Sequence, residues 1–148
     1  MRDESFLDVD IVDSFGLKQD ASPDRIVVSF ERFRDLVVRR VEAHAGVVLN
    51  SNGDEVMSFF ASAERVLAAA RGIAASIPEF NARSNLLARS FAVRMGIDSG
   101  RGAVDLERGI AYSPILDGAG HLQKAAPIGG ILLSQATRDA LASEHGVK

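Results

Sequence analysis

The sequence predicts an α+β protein with a ferredoxin-like βαββαβ core, its helices packed on an open sheet as two layers. Three observations carry that expectation. Short β-branched runs with a period of two alternate with longer stretches whose apolar residues recur every three or four positions. The pair Asn52-Gly53 separates two of the strand-like runs, as a hairpin requires. The order along the chain is strand, helix, strand, strand, helix, strand, followed by a further helix and strand.

Each element has its own warrant. Phe6 to Val12 is short, β-branched and interrupted by acids, which predicts a strand with Leu7, Val9 and Ile11 on one face and Asp8 and Asp10 on the other. Residues 18–22 are polar and read as a loop. Ser22-Pro23 opens a helix, with Ser22 as N-cap and Pro23 at the first helical position. Its core face is Ile26, Phe30, Phe33, Val37 and Val41, and Gly46 is expected to end it as a C-cap. Val47–Leu49 and Val56–Phe60 are strands joined at Asn52-Gly53, both of which tolerate positive φ.

Ser62 caps a second helix, expected to stop at Pro78 with Val66, Leu67, Ala70, Ile73 and Ile77 inward, and residues 79–88 read as a polar loop. Ser90 to Ile97 alternates, with Phe91, Val93, Met95 and Ile97 inward and Arg94 outward. A weaker strand is expected around 102–104 or 109–112, then a helix from about Pro114 to Ala126. Ile131–Leu133 is a strand, and Ser134 caps a final helix to about His145.

Composition bounds the function. The 148 residues read as a single domain, 1–148, with 47% hydrophobic and 25% charged residues. Seventeen basic against 20 acidic residues leave a net charge of −3, which argues against binding to nucleic acid or to an anionic membrane surface. No cysteine is present, so disulfides, zinc thiolate sites and cysteine nucleophiles are excluded. No apolar run approaches a membrane span, and Asp3 and Glu4 stand where a signal peptide has a basic region; a cytoplasmic location is expected.

Two acids stand out by position. Asp10 lies near the end of the first strand, and Asp54 follows the Asn52-Gly53 turn. In a ferredoxin-like sheet that strand and that hairpin are neighbours, so the carboxylates converge. Two carboxylates with open coordination positions suit Mg2+ held together with a substrate phosphate. Residues 11–15 leave the strand as a turn whose N–H groups suit phosphate. The plainer reading, that both acids are solvated turn residues, stays open on spacing alone.

A resemblance goes further. Phe6-Leu7-Asp8-Val9-Asp10-Ile11-Val12-Asp13-Ser14 resembles the opening strand and phosphate loop of class III adenylate and guanylate cyclases. The likeness continues through Glu42–Val48, Asn52–Phe59, Val93–Gly100 and Gly130–Thr137, in the family's order and at family-like spacings. It implies that Asp10 and Asp54 are the metal-binding aspartates, with the Ile11 carbonyl as third protein contact. It implies that Ile11, Val12, Asp13, Ser14 and Phe15 form the triphosphate loop, and that Mg2+ or Mn2+ is the cofactor.

Other positions depart from the family. The adenine-reading lysine is Asn50 here, and the base-selecting position falls near Ile110. Aligned without gaps, the transition-state asparagine is Asp117 and the arginine is His121. A carboxylate repels phosphate, and an imidazole is not the permanent cation a guanidinium is. Donors of that kind matter greatly for rate. Lys124, on the same helical face, is the cation nearest to a replacement. The family also continues into a strand pair carrying a phosphate-binding lysine; here the sequence ends at Lys148, so either it is a piece of a longer chain or that part of the site is missing.

The resemblance thus implies a degenerate cyclase-like signalling or regulatory domain. It would bind a metal–nucleoside triphosphate with little or no turnover, as a homodimer or in a heterodimer with another cyclase-type domain. The alternative is an active nucleotidyl cyclase of altered base choice, or one completed by its partner. Asp8, where the family commonly has an apolar residue, is expected to face solvent. Asp8-Val9-Asp10-Ile11-Val12 also fits the opening motif of haloacid-dehalogenase-type phosphatases, but the later lysine and second acidic cluster of that class are missing.

Overall fold

Period-two alternation produces a central strand buried on both faces. In the computed structural model, which describes the backbone of residues 2–105, 110–112 and 114–144 and the side chains of 4–100 and 118–144, that strand is β1 (Arg2–Ile11). It is followed by α1 (Ser14–Lys18), α2 (Pro23–Ala43), β2 (Val47–Asn52), β3 (Glu55–Phe60), α3 (Ala63–Arg83), β4 (Val93–Asp105), β5 (Ile110–Tyr112), α4 (Pro114–Ala125), β6 (Ile131–Leu133) and α5 (Gln135–Glu144).

The strand order is β2-β3-β1-β4-β5, with β1 antiparallel to both β3 and β4. The order of the first four strands is the ferredoxin-like one. β6 runs parallel to β4 beside Met95–Ile97, and β5 pairs antiparallel with Ala103–Asp105. β1 begins at Arg2 rather than Phe6, and β4 runs past Ile97 to Asp105, because each gives the other a continuous partner from Arg2↔Gly102 to Ile11↔Val93.

One face of the sheet carries the main core. Leu7, Val9, Ile11, Val93, Met95 and Ile97 pack against Phe33, Val37 and Val41 of α2 and Val66, Ala70 and Ile73 of α3. The caps at Ser22, Ser62 and Ser134 form as expected: their hydroxyls accept from the N–H groups of Arg25, Arg65 and Thr137. The expected end of the last helix at His145 lies outside the described residues.

Three local expectations are corrected. Helix α3 does not stop at Pro78 but runs to Arg83. Phe80, two residues further, is buried against Phe33 and Phe91 at ring separations of 5.8 and 5.0 Å. Burying that ring outweighs the backbone donor the proline lacks. Pro78 itself is exposed, so Pro78→Ala restores a helical donor without disturbing the core. It is expected to raise the melting temperature by a few degrees, about 1 kcal/mol or more; a lowered melting temperature would mean that the proline's stiffening of the unfolded chain dominates.

At the end of α2 the left-handed residue is Ala45, with φ 60°, and not Gly46. The Gly46 N–H closes the helix on the Val41 carbonyl at 2.9 Å. Gly46 lacks a side chain for a different reason: a methyl group there would overlap the Phe60 ring. In the hairpin, Asn52 pairs with Glu55, so the two-residue loop is Gly53-Asp54. Neither Asn52 nor Gly53 takes the positive φ expected of it. The shift places Asp54 inside the turn itself.

Candidate functional site

The second face of the sheet holds the acids. Register sets Phe6, Asp8 and Asp10 of β1 beside Asp98, Gly96 and Arg94 of β4 and beside Phe59, Met57 and Glu55 of β3. Asp10 therefore stands between Glu55 and Arg94. Helix α4 crosses this face, and it comes close because both surfaces are small. A methyl group on Gly96 would overlap the Ala119 carbonyl and the Gln123 amide, and one on Gly118 would overlap the Asp98 carboxylate. Ala119 closes a small cluster with Phe6 and Met57.

Asp10 and Asp54 come together at the open end of this face. The Ile11 N–H donates to the Asp54 carbonyl at 2.9 Å, tying the hairpin turn to the end of β1. The Ser14 hydroxyl, in the first turn of α1, donates to Asp54 Oδ2 at 3.0 Å. Gln123 reaches down from α4 and donates from Nε2 to Asp10 Oδ2 at 3.1 Å. Burial, then the charges of Asp54 and Glu55, push the Asp10 carboxyl above its ordinary value, against the opposing Gln123 hydrogen bond.

These residues fit a divalent cation. The donors are carboxylate oxygens beside a backbone carbonyl, the hard set that suits Mg2+ or Mn2+. Burial is the larger cause of the Asp10 shift, and the repulsion from Asp54 and Glu55 that adds to it is what such a cation relieves. Among the described residues no group of three or more His, Cys, Asp or Glu side chains forms a metal cluster. A cation held here would take its remaining ligands from water or phosphate, as Mg2+ commonly does.

The expectation for Asp8 is corrected. It does not face solvent: it is 1% exposed, because α4 covers it, with Gly120 directly above. One of its oxygens, Oδ1, has no hydrogen-bond partner among the described residues. Burial first, then the charges of Glu55 and Asp10, raise its pKa from 3.8 to about 8, and the Lys124 ammonium acts the other way. Burial beneath the helix thus favours the neutral form of the Asp8 carboxyl.

The remaining predicted residues are more scattered. Residues 11–15 leave β1 as a turn and then open α1, a helix the sequence did not suggest. Val12 donates its N–H to the Ala92 carbonyl, and Phe15 is 74% exposed. Asp13 is left-handed at φ 49° and caps Gly16. Asn50 is exposed beside a bulge in β2. His121 is exposed on α4, which also carries Asp117. The side chains of Asp117 and Ile110 lie outside the described residues.

Sequence reasoning read Arg94 only as outward-facing, whereas it is half-buried, and it did not name Gln123. Arg94 faces the same side as Asp10, and its Nε is buried without an acceptor among the described residues. The signal was available: an arginine out of phase with Val93 and Met95 must share a face with the acids of the neighbouring strand. Gln123 gave no such signal, since its role depends on how α4 lies across the sheet.

No protein-family model matches this chain, and no curated protein matches it in sequence. Solved structures do match. The chain has the fold of class III adenylate/guanylate cyclase catalytic domains. A monomeric guanylyl cyclase domain of the RhoGC fusion protein from the aquatic fungus Blastocladiella emersonii superposes with a TM-score of 0.84, at 15% identity, covering 96% of this chain and 86% of that one. The guanylate cyclase domain from Catenaria anguillulae in complex with GTP gives 0.80 at 15% identity, over 95% and 82% of the two chains. The adenylyl cyclase CyaB from P. aeruginosa gives 0.81 at 17% identity, over 96% and 81%. Among the described residues no helix is long and apolar enough to cross a membrane.

Proposed function

We propose that this chain is a degenerate class III nucleotide cyclase-like domain, a signalling or regulatory module that binds a metal–nucleoside triphosphate and turns it over little or not at all. The observation that carries the reading is the pairing of Asp10 with Asp54. The hairpin turn is hydrogen-bonded to the end of β1, and the two carboxyls lie close enough for the charge of one to raise the other. Mg2+ or Mn2+, bound by Asp10, Asp54 and the Ile11 carbonyl, would supply the charge that a triphosphate needs.

The chain's own residues then have separable parts. Gln123 holds the Asp10 carboxylate in place, and Ser14 holds that of Asp54. Arg94 shares the face of Asp10, its Nε buried and without an acceptor among the described residues. What is missing is help for the transition state. With Asp117 and His121 where the family has asparagine and arginine, growing charge on the α-phosphate meets neither an amide donor nor a permanent cation. Asn50 in place of the base-reading lysine weakens the choice of base. Association is read as a homodimer or a pair with another cyclase-type domain; solved relatives of this fold are described both as monomeric and as dimeric.

The second reading is an active cyclase of altered base choice or with a heterodimeric partner. One observation favours it: the Lys124 ammonium on α4 lies near enough to act on Asp8, so a cation does approach this face. A product assay separates the two. With Mn2+ and ATP or GTP, the chain is expected to form no more cyclic nucleotide than its Asp10→Asn variant. Robust product that disappears in Asp10→Asn would establish the second reading.

A further inference from the structure

The end of the sheet away from Asp10 carries a chain of buried hydroxyls. Ser5 of β1 and Ser99 of β4 are 3% and 6% exposed, and their oxygens lie 2.7 Å apart. Ser99 in turn reaches Thr137 of α5 at 2.9 Å. Counting protons fixes the direction of this chain. Thr137 is fully buried and spends its one hydroxyl proton on the Ile97 carbonyl at 3.2 Å. Its oxygen must then accept from both Ser99 and Ser134, at 2.9 and 3.0 Å. With its own proton spent, Ser99 accepts from Ser5. The Ser5 and Ser99 protons therefore both run toward α5, and these two oxygens are left with lone pairs alone.

Ser5 and Ser99 also line a hollow of about 320 Å³ between α5 and the start of α3. That volume reaches the range of small-molecule sites. The walls are the methyl groups of Ala61, Ala63, Ala136 and Ala140, and the charged groups on the lining are the carboxylates of Asp139 and Glu144. Glu144 holds α5 to α3, accepting from the Ser62 hydroxyl and from the Ala63 and Glu64 N–H groups. Exposed Asp139 accepts from Gln135 Nε2 at 2.9 Å. Among the described residues no Lys, Arg or His lines the hollow.

We propose that this hollow is a binding site for a small aliphatic amine, whose ammonium donates to the Ser5 and Ser99 oxygens. The occupant must bring donors, because the buried hydroxyls offer only acceptors. It is favoured by positive charge, because the charged lining is carboxylate. An alkylammonium meets both conditions, with three donors and no acceptor, and its apolar stem suits methyl walls. A bare metal ion suits the lining less well: no three metal-ligating side chains gather among the described residues, and methyl groups give it no ligands. Ser5 stands five residues before Asp10 on the same strand, about 17 Å along it, so this site is separate from the acidic one and does not depend on the nucleotide reading.

Titration of the full chain with n-butylamine at constant ionic strength, followed by amide NMR shifts, tests this. Saturable binding is expected, with the shifts centred on Ser5, Ser99 and α5. The alcohol n-butanol, similar in size but uncharged, is expected to bind at least about tenfold more weakly, the scale of one charge-assisted hydrogen bond. Ser5→Ala removes an acceptor and is expected to weaken n-butylamine binding about tenfold. Asp139→Asn, on the exposed surface of α5, is expected to weaken it roughly threefold and carries the test should Ser5→Ala not fold. Three results would each overturn the proposal: no saturable n-butylamine binding, equal affinity for n-butanol, or n-butylamine affinity unchanged in every folded variant.

Discussion

Gly96→Ala is expected to loosen helix α4 and to cost about 3 kcal/mol, near the upper end for overpacking a closed contact. The added methyl meets main-chain atoms, the Ala119 carbonyl and the Gln123 amide, and no flexible side-chain tip that could move aside. Relief requires the whole helix to lift. Its departure would withdraw Gln123 from Asp10 and uncover Asp8. For a domain of this size the melting temperature should fall by roughly 6–12 °C. Amide hydrogen exchange should quicken first in α4, before the β1–β4 ladder. An unchanged melting temperature would mean that α4 does not pack on β4 as closely as described.

The second large effect is a dependence of stability on pH, carried by Asp8. Its pKa is raised from 3.8 to about 8, first by burial and then by Glu55 and Asp10. Because the folded value lies above the unfolded one, the sign is the reverse of the usual carboxylate case. Below the ordinary pKa the group is protonated in both states, and its contribution to stability is fully present. As pH rises from 3.8 toward 8, the unfolded chain releases a proton that the folded chain retains, so stability falls. Beyond the folded value the loss is complete. Asp10, raised in the same direction, adds to the trend.

Asp8→Asn removes the charge while keeping the shape. It is expected to flatten the decline of melting temperature between about pH 5 and pH 8, and to stabilise the protein at pH 8 by an amount on the order of a few kcal/mol. Equal slopes for variant and wild type across that range would show that Asp8 is not held neutral. The same substitution leaves the pairing of Asp10 with Asp54 in place, so it separates the buried acid from the proposed metal site.

How much of this was legible in the sequence depends on what each feature rests on. The strands, the long helices and the three serine caps follow from local patterns, and they were readable. So was the meeting of Asp10 with Asp54, because strand order alone brings the first strand beside the hairpin. Features that depend on tertiary packing were not. Pro78 looked like a stop because local chemistry says so, and only the Phe33–Phe80–Phe91 cluster explains why the helix goes on. Asp8 looked solvated because acids usually are. Its burial follows from Gly96, Gly118 and Gly120 letting α4 settle on the sheet, and glycines in a helix first suggest weakness, not contact.

The same distinction applies to the site. Asp10 and Asp54 carry a positional signal, whereas Gln123 and Ser14 enter only through the contacts they make with those carboxylates. Asp13 read as one more loop residue. Its left-handed backbone and its hold on Gly16 belong to α1, a five-residue helix too short to leave a periodic trace.

The central claim is that Asp10 and Asp54 hold a metal–nucleotide, and a thermal melt with Mn2+ and each of the four ribonucleoside triphosphates tests it most directly, with Asp10→Asn as control. A ligand at a hundred times its dissociation constant adds about 2.7 kcal/mol, worth roughly 5–11 °C here. The predicted result is a shift with at least one nucleotide that requires Mn2+ and is lost in Asp10→Asn. A shift that persists undiminished in Asp10→Asn, or no shift with any nucleotide at saturating concentrations, would contradict it and leave a cyclase fold kept for association alone.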